Sequence, residues 1–317
     1  MRKTTALIAA LALLASLTAC ASGPGSNGCD PLVSSGNASS AVTATGKFGT
    51  APKVKFPTPL YTKSNEKTQV IAGKGAPIQD GQPVALDVTI LNGTNGKVLQ
   101  SSSYAADGFS LVTVGKSSIP SVTEALRCAT VGSRVVIVGS PKDSHSGQAD
   151  DANGIGKNDS FVYVVDVRNS FLAKADGANQ IPQNDMPLVV TTADGTPGIS
   201  IPSSTAPKSL KIDVLKQGSG TKVKTGNYLI VQYTGVPWSL TDKKPFDSTW
   251  SEHQASVIQV GAASVSTGLS KALVGQRVGS QVLVVAPPKD AAVADGSGKA
   301  PTDNTSVYVV DILGIAQ

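Results

Sequence analysis

The chain has 317 residues, of which 40% are hydrophobic and 15% are charged, and this is enough material for two ordinary domains. Lysine and arginine number 27 against 22 acidic residues, so the net charge is +5, and no segment combines clustered basic residues with aromatic ones. The composition therefore does not support binding to nucleic acid, which needs a concentrated basic surface.

Residues 1–19 predict a lipoprotein signal peptide. Arg2 and Lys3 provide a basic start, and residues 6–17 are apolar over a length too short to span a bilayer. The segment leads into Cys20 through Leu-Thr-Ala, which resembles a bacterial lipobox, where the cysteine thiol receives a lipid. The alternative is an ordinary signal peptide whose cysteine is incidental.

Residues 20–45 predict a tether, since they begin with a small stretch rich in glycine and serine. No later segment has the ~18 consecutive apolar residues of a membrane span, so we expect a lipid on Cys20 to be the membrane anchor. This predicts an extracytoplasmic protein held at the cell membrane. A partner nucleotide is not expected there, because the ATP pool is cytoplasmic.

Two cysteines remain after Cys20, and an even number in an exported chain suggests a disulfide between Cys29 and Cys128. Such a bond would close a loop of about 100 residues and add at most about 4 to 5 kcal/mol of stability. The alternative is a buried Cys128 that acts as a small hydrophobic residue beside a free Cys29.

The rest of the chain contains an internal repeat. Motifs recur at nearly constant offsets: Val131–Ser133 at 278–280, Pro141–Asp143 at 288–290 and Val162–Val167 at 307–312. Such steady spacing predicts a tandem duplication. It divides the chain into a first unit (residues 46–172), a linker (residues 173–186) and a second unit (residues 187–317).

Each unit is predicted to be mainly β-strand with one short helix. The predicted strands are β-branched or alternating runs at 84–91, 133–138, 161–167, 228–235, 281–286 and 306–313. The helices are predicted at 121–129 and 266–274. Antiparallel strands with one helix give an α+β module of about 110 to 120 residues.

Five separated motifs of the second unit resemble FKBP-type peptidyl-prolyl cis/trans isomerases, particularly those of high-GC Gram-positive bacteria. They are Tyr233–Gly235, Phe246–Ser248, Gly268 with Leu273–Ser280, Pro287–Pro288 and Val307–Asp311. The resemblance covers residues 210–313, and the first unit is similar mainly through the duplication. It implies a curved antiparallel sheet wrapped around one short helix, with an apolar pocket between them.

The activity implied is rotation about the bond that precedes a proline, whose barrier is about 18 to 20 kcal/mol. Because no bond is made or broken, the resemblance implies neither a metal nor a cofactor. The pocket works by removing water from the imide and by fitting the twisted amide better than either planar isomer.

The resemblance assigns five residues to the catalytic pocket. Tyr233 and Phe246 would line one wall, Val265 would form the base beside the helix, and Tyr308 would close the far side. Asp247 would orient the pocket near the substrate carbonyl without acting as a base. The alternatives are that Tyr308 is plain strand core and that Asp247 is a turn former.

Several pocket positions depart from the family pattern. Leu269 stands where a tryptophan usually forms the floor of the pocket. Ser266 stands just before the helix, where the family usually has an aliphatic side chain beside a backbone amide that faces the substrate. Ala292 falls where a tyrosine usually donates to the substrate, and Ser256 replaces a phenylalanine. Leu269, Ser266 and Trp250 are assigned to substrate binding, with Trp250 either edging the pocket or packing behind it.

The first unit has lost the pattern. Val88 stands in the place of Tyr233, and Leu99–Gln100 replaces Phe246–Asp247. We therefore expect no isomerase activity there, and a role in spacing, docking or holding client proteins.

Two functions follow from these features. In the first, the second unit is an isomerase that assists the folding of proline-containing secreted polypeptides. In the second, both units are non-catalytic, a membrane-tethered chaperone or adaptor. Other activities have weak support: Gly115–Ser117 lacks the preceding glycine of a phosphate loop, and His145 and His253 do not have metal-ligand spacing.

Overall fold

The computed structural model describes residues 29–105, 108–115, 119–293, 299–300 and 303–316. The predicted signal peptide, Cys20 and the first part of the predicted tether lie outside these residues. Within the described part, no helix is long and apolar enough to cross a membrane.

The described residues form 17 strands and five short helices. The strands are β1 (Thr43–Thr45), β2 (Lys53–Lys55), β3 (Glu66–Ile71), β4 (Pro83–Asn92), β5 (Val98–Ser101), β6 (Ser110–Thr113), β7 (Arg134–Gly139), β8 (Phe161–Ser170), β9 (Ala178–Asn179), β10 (Leu188–Thr191), β11 (Pro197–Ser200), β12 (Lys211–Gln217), β13 (Tyr228–Pro237), β14 (Asp247–Ser248), β15 (Ser256–Gln259), β16 (Gln281–Ala286) and β17 (Ser306–Ala316). The helices are α1 (Asn37–Ser40), α2 (Pro120–Thr123), α3 (Pro141–His145), α4 (Thr267–Leu273) and α5 (Pro288–Ala291). Antiparallel sheets with few helices agree with the expected fold class.

Two large antiparallel sheets have the same strand order. The first sheet runs β3-β7-β8-β4-β5, with β6 also paired to β4. The second sheet runs β12-β16-β17-β13-β14, with β15 also paired to β13 and β9 added beside β12. Their central registers also agree, since Val88 lies opposite Val165 in the first sheet and Tyr233 lies opposite Val310 in the second.

The central strands of both sheets are buried on two faces. In β16, Val282, Val284 and Ala286 pack in one core with α4, while Leu283 and Val285 pack in another with the β10–β11 hairpin. In the first sheet, alternate residues of β7 likewise divide between the α2 side and the β1–β2 hairpin. Each sheet is therefore covered by helix on one face and by a hairpin on the other.

Two predicted segments differ in the structure. Helix α2 has only four residues, followed by turns, where nine were expected, because the chain turns at Glu124 to bring Ala125 and Leu126 into the core. The predicted linker, residues 173–186, lies along the second sheet: β9 pairs with β12, and the N–H of Ala175 donates to Oδ2 of Asp311 at 2.8 Å.

Two buried links secure the first unit. A disulfide joins Cys29 to Cys128, with their Cα atoms 5.7 Å apart. Arg134 forms a bidentate ion pair with Asp166, with Nη2–Oδ2 at 2.7 Å, and both side chains are buried. The same guanidinium donates to the carbonyls of Gly46, Lys47 and Thr50, so it holds the turn that follows β1.

Candidate functional site

A cavity of about 420 Å³ lies between the second sheet and α4. Seven of the eight residues assigned from the sequence to catalysis or substrate binding line it together: Tyr233, Phe246, Asp247, Val265, Ser266, Leu269 and Tyr308. They come from β13, β14, β17, α4 and the loops before β14 and α4, so the fold gathers residues that are up to 75 positions apart in the sequence.

The aromatic wall depends on a glycine in β13. Gly235 lies opposite Tyr308 in register, and its carbonyl accepts a hydrogen bond from the N–H of Phe246 at 3.0 Å. A Cβ on Gly235 would lie 2.6 Å from Cε2 of Phe246. The missing side chain therefore lets Phe246 lie edge-on against Tyr308, with ring centroids 5.6 Å apart and planes at 83°.

The polar side of the cavity is organised around Asp247. Tyr233 Oη donates to Oδ2 of Asp247 at 2.5 Å, and Lys299 Nζ donates to Oδ1 at 2.9 Å. Lys299 also lies 3.6 Å from a carboxylate oxygen of Glu252. Both carboxylate oxygens of Asp247 are thus engaged, so this residue orients Tyr233 and is poorly placed to take a proton from a substrate.

Both cavity tyrosines are held in the neutral form. Burial, followed by the hydrogen bond and negative charge of Asp247, raises the pKa of Tyr233 well above its usual range. Burial also raises the pKa of Tyr308 to about 12. Both phenols are therefore neutral at neutral pH; the hydroxyl of Tyr233 donates to Asp247, and the rings of both residues contribute apolar surface.

The base of the cavity is the start of α4. Ser266 is the N-cap residue, and its buried Oγ accepts from the N–H of Leu269 at 3.3 Å, so this hydroxyl is used inside the protein. Gly268 allows the helix to approach α5, since a Cβ there would lie 2.7 Å from the carbonyl oxygen of Asp290. Val265 and Leu269 present apolar surface to the cavity.

Residues 219–313, which contain this cavity, match the family model described as FKBP-type peptidyl-prolyl cis-trans isomerase. This part of the chain is therefore similar to FKBP-type proteins. The match covers less than a third of the chain.

Two curated relatives each match well under half of the chain. A probable FK506-binding protein of Corynebacterium glutamicum is 29% identical over 117 residues, which are 37% of this chain and 96% of that protein. An FK506-binding protein of Streptomyces anulatus is 27% identical over 122 residues, which are 38% of this chain and 96% of that protein.

Solved structures with FKBP domains also show a likeness. The three FKBP domains of wheat FKBP73 are 19% identical, with 80% of this chain and 94% of that chain covered and a TM-score of 0.34. FkpA from Escherichia coli is 22% identical, with 42% of this chain and 53% of that chain covered and a TM-score of 0.30.

The FKBP-type cavity differs from the expected site at Trp250. This residue is not among those that line it, and Cη2 of its ring packs on Gly195 in the turn between β10 and β11. Of the two placements expected for Trp250, edging the pocket or packing behind it, the contact with Gly195 agrees with packing against the hairpin. No local pattern around Trp250 could reveal this contact, because it depends on the hairpin.

Several lining residues of the FKBP-type cavity were not foreseen. Glu252, Gln254 and Lys299 add polar groups to its rim, and Thr249 supports the wall because the N–H of Tyr233 donates to its Oγ1 at 2.8 Å. Only their closeness to recognised motifs could have suggested them.

Within the described ranges, no group of three or more histidine, cysteine, aspartate or glutamate residues could hold a metal ion.

The first unit differs from the second at the positions that correspond to the cavity. Tyr163, at the register position of Tyr308, is 2% exposed and packs with Val88. Leu99 and Phe161 pack against the same core. Leu99 and Gln100, which stand in the places of Phe246 and Asp247, instead line a smaller cavity of about 280 Å³ with Phe161.

Proposed function

We propose that the second unit is a peptidyl-prolyl cis/trans isomerase that acts on secreted polypeptides at the outer face of the cytoplasmic membrane. The observation that carries this proposal is that Tyr233, Phe246, Asp247 and Tyr308 line one cavity. Its apolar aromatic wall, the oriented carboxylate of Asp247 and the family match of residues 219–313 all favour a prolyl ring as the occupant.

The chemistry follows from the lining. A prolyl ring packed against Phe246, Val265 and Tyr308 would carry its imide out of water, which weakens the charge-separated resonance form that keeps the bond planar. The hydrogen bond from Tyr233 to Asp247 fixes that part of the wall before the substrate arrives, so little reorganisation is needed during rotation. No group has to give or take a proton.

The test is a protease-coupled assay with a proline-containing tetrapeptide anilide and the whole chain. Asp247→Ala and Tyr308→Ala should each lower kcat/KM at least roughly tenfold, which is ~1.4 kcal/mol of transition-state stabilisation. Tyr163→Ala is the matched control, since it removes a buried tyrosine at the same register of the first sheet. Equal rates at the uncatalysed level in the wild type and both cavity variants would refute the enzyme.

The second candidate function is binding without turnover. It is favoured by the cavity's departures from the family pattern, because the Ser266 hydroxyl caps α4 and Ala292 has no group that can donate to a substrate carbonyl. A holdase of this kind would bind the tetrapeptide, as measured by calorimetry, while its isomerisation remained at the uncatalysed rate. The retained Tyr233–Asp247 pair and the Phe246–Tyr308 wall favour the enzyme.

The wider organisation is also a proposal. The shared strand order and central register of the two sheets support a tandem duplication in which only the second unit kept a site. We expect lipid on Cys20 to anchor the chain, a role that Cys20→Ala would abolish. The check is fractionation: the wild type should sediment with membranes and Cys20→Ala should not.

A further inference from the structure

The two units share an apolar core. Phe171 lies between them, packed with Ala85 of β4 and with Ile230 of β13. On the second unit this cluster also includes Ala255 and Leu313. The contact is close, because a Cβ on Gly314 would lie 2.3 Å from Cδ1 of Phe171. The units therefore pack directly on each other.

Residues of β6 accept two hydrogen bonds across the same interface. The N–H of Ala255 donates to Oγ1 of Thr113 at 3.1 Å, and the side-chain amide of Gln254 donates to the carbonyl of Leu111 at 3.1 Å. Thr113 and Ala255 are 5% and 4% exposed. The N–H of Ala255 thus depends on a side chain of the first unit for a buried partner, which makes the bond costly to lose.

The segment that β6 holds is a wall of the cavity. Gln254, Ala255 and Ser256 all line it, and so does Thr249 at the other end of the same loop. Residues 249–255 connect β14 to β15 and contain turns without helix or strand. Backbone hydrogen bonds within the loop, such as the one from the N–H of Gln254 to the carbonyl of Thr249 at 3.2 Å, set its local turns. They do not fix where the loop lies against the rest of the protein, so its position depends also on the contacts it makes with neighbouring elements.

We infer that Thr113 and Leu111 of the first unit are positioning residues for the cavity of the second unit. They accept hydrogen bonds from residues 254–255 across the interface between the units, while Thr249 accepts one from Tyr233 within the second unit. The first unit thereby shapes a site that it does not itself possess. The activity readout of this inference rests on the proposed isomerase function, whereas its structural readout does not.

The test removes the acceptor from β6 in the whole chain. Thr113→Val keeps a similar shape but lacks Oγ1, so amide hydrogen exchange at Ala255 should accelerate at least roughly tenfold. The KM for a proline-containing tetrapeptide should rise ~threefold or more, with a smaller change in kcat, because the wall is displaced while the aromatic groups remain. Thr113→Ser restores the oxygen and should return both values to those of the wild type.

Thr123→Val is the matched control. Thr123 is also buried in the first unit, and its hydroxyl donates to the carbonyl of Gly115 at 3.0 Å, within the same unit. This variant should leave exchange at Ala255 and the KM unchanged.

Unchanged exchange at Ala255 in Thr113→Val would overturn the inference, and so would an equal acceleration in Thr123→Val. Faster exchange with unaltered kinetic constants in an active enzyme would also overturn it. If the wild type shows only the uncatalysed rate, the proposed function fails, and exchange at Ala255 alone decides the inference.

Discussion

Replacing Gly235 by alanine tests how tightly the aromatic wall is built. The ideal Cβ would lie 2.6 Å from Cε2 and 2.7 Å from Cζ of Phe246, and 3.0 Å from Cε1 of Tyr308. Gly235 does not have a positive φ angle, so the lack of space, and not backbone conformation, requires glycine here. Ordinary carbon contacts are about 3.5 to 4.0 Å, so Phe246 must move by roughly 1 Å.

The expected loss of stability follows from that displacement. Overpacking of this kind costs about 1 to 3 kcal/mol, and the reduced entropy of the unfolded chain offsets about 0.4 to 1 kcal/mol. We therefore expect Gly235→Ala to lower the free energy of unfolding by about 1 to 2 kcal/mol. The same shift disturbs the edge-on pair of Phe246 and Tyr308, so kcat/KM for the proline-containing tetrapeptide should fall as well.

Gly198→Ala is the matched control. Gly198 lies in β11 of the same unit, also without a positive φ angle, and the nearest atom to its added Cβ would be Cγ2 of Val190 at 3.4 Å. This variant should be neutral or up to ~1 kcal/mol more stable than the wild type, with unchanged kinetics. Urea unfolding and the protease-coupled assay measure both effects. Equal unfolding midpoints and equal kcat/KM for the two variants would refute the steric argument.

Three further predictions concern the stability that the first unit contributes. Arg134→Met should cost about 3 to 5 kcal/mol in urea unfolding, because it leaves the buried carboxylate of Asp166 unpaired, and adding Asp166→Leu should recover most of that loss. Replacing Cys29 and Cys128 together by serine should cost up to about 4 to 5 kcal/mol, since the bond closes a loop across a sequence separation of 99 residues, and an unchanged unfolding midpoint would contradict this. Burial lowers the pKa of Lys67 from 10.5 to about 8, so the folded chain holds fewer protons than the unfolded chain between these values. The stability of the wild type should therefore rise relative to Lys67→Met as the pH rises from about 8 to about 10.5, and a constant difference in midpoint would rule this out.

Much of the sheet structure was accessible from the sequence, because strand runs and the repeat are local signals. The predicted strand at 281–286 coincides with β16, and the motifs around Tyr233 and Phe246 point to residues that line one cavity. The hairpins that cover the outer faces were missed. Their signal was present, since Gln281–Ala286 is a nearly continuous apolar run, and such runs indicate a strand buried on both faces.

Other features could not be read from the sequence because they depend on contacts between distant residues. Nothing near Ala175 shows that its N–H is held by Asp311, so the segment after the first unit was taken for a linker. The position of Trp250 depends in the same way on the turn at Gly195. The hydrogen bond between Thr113 and Ala255 joins the end of β6 to the loop before β15, and neither segment carries a recognisable motif.

The packing of the first unit bears on its contact with the second unit. Val88 and Tyr163 are buried in the core of the first unit, and closely packed protein interiors have low compressibility and transmit strain. Its strand β6 can then serve as a firm support for the loop that ends at Ala255. Because β6 also pairs with the buried strand β4, a displacement of this loop would have to strain the first core, so the packing of the first unit and the shape of the neighbouring cavity wall are coupled.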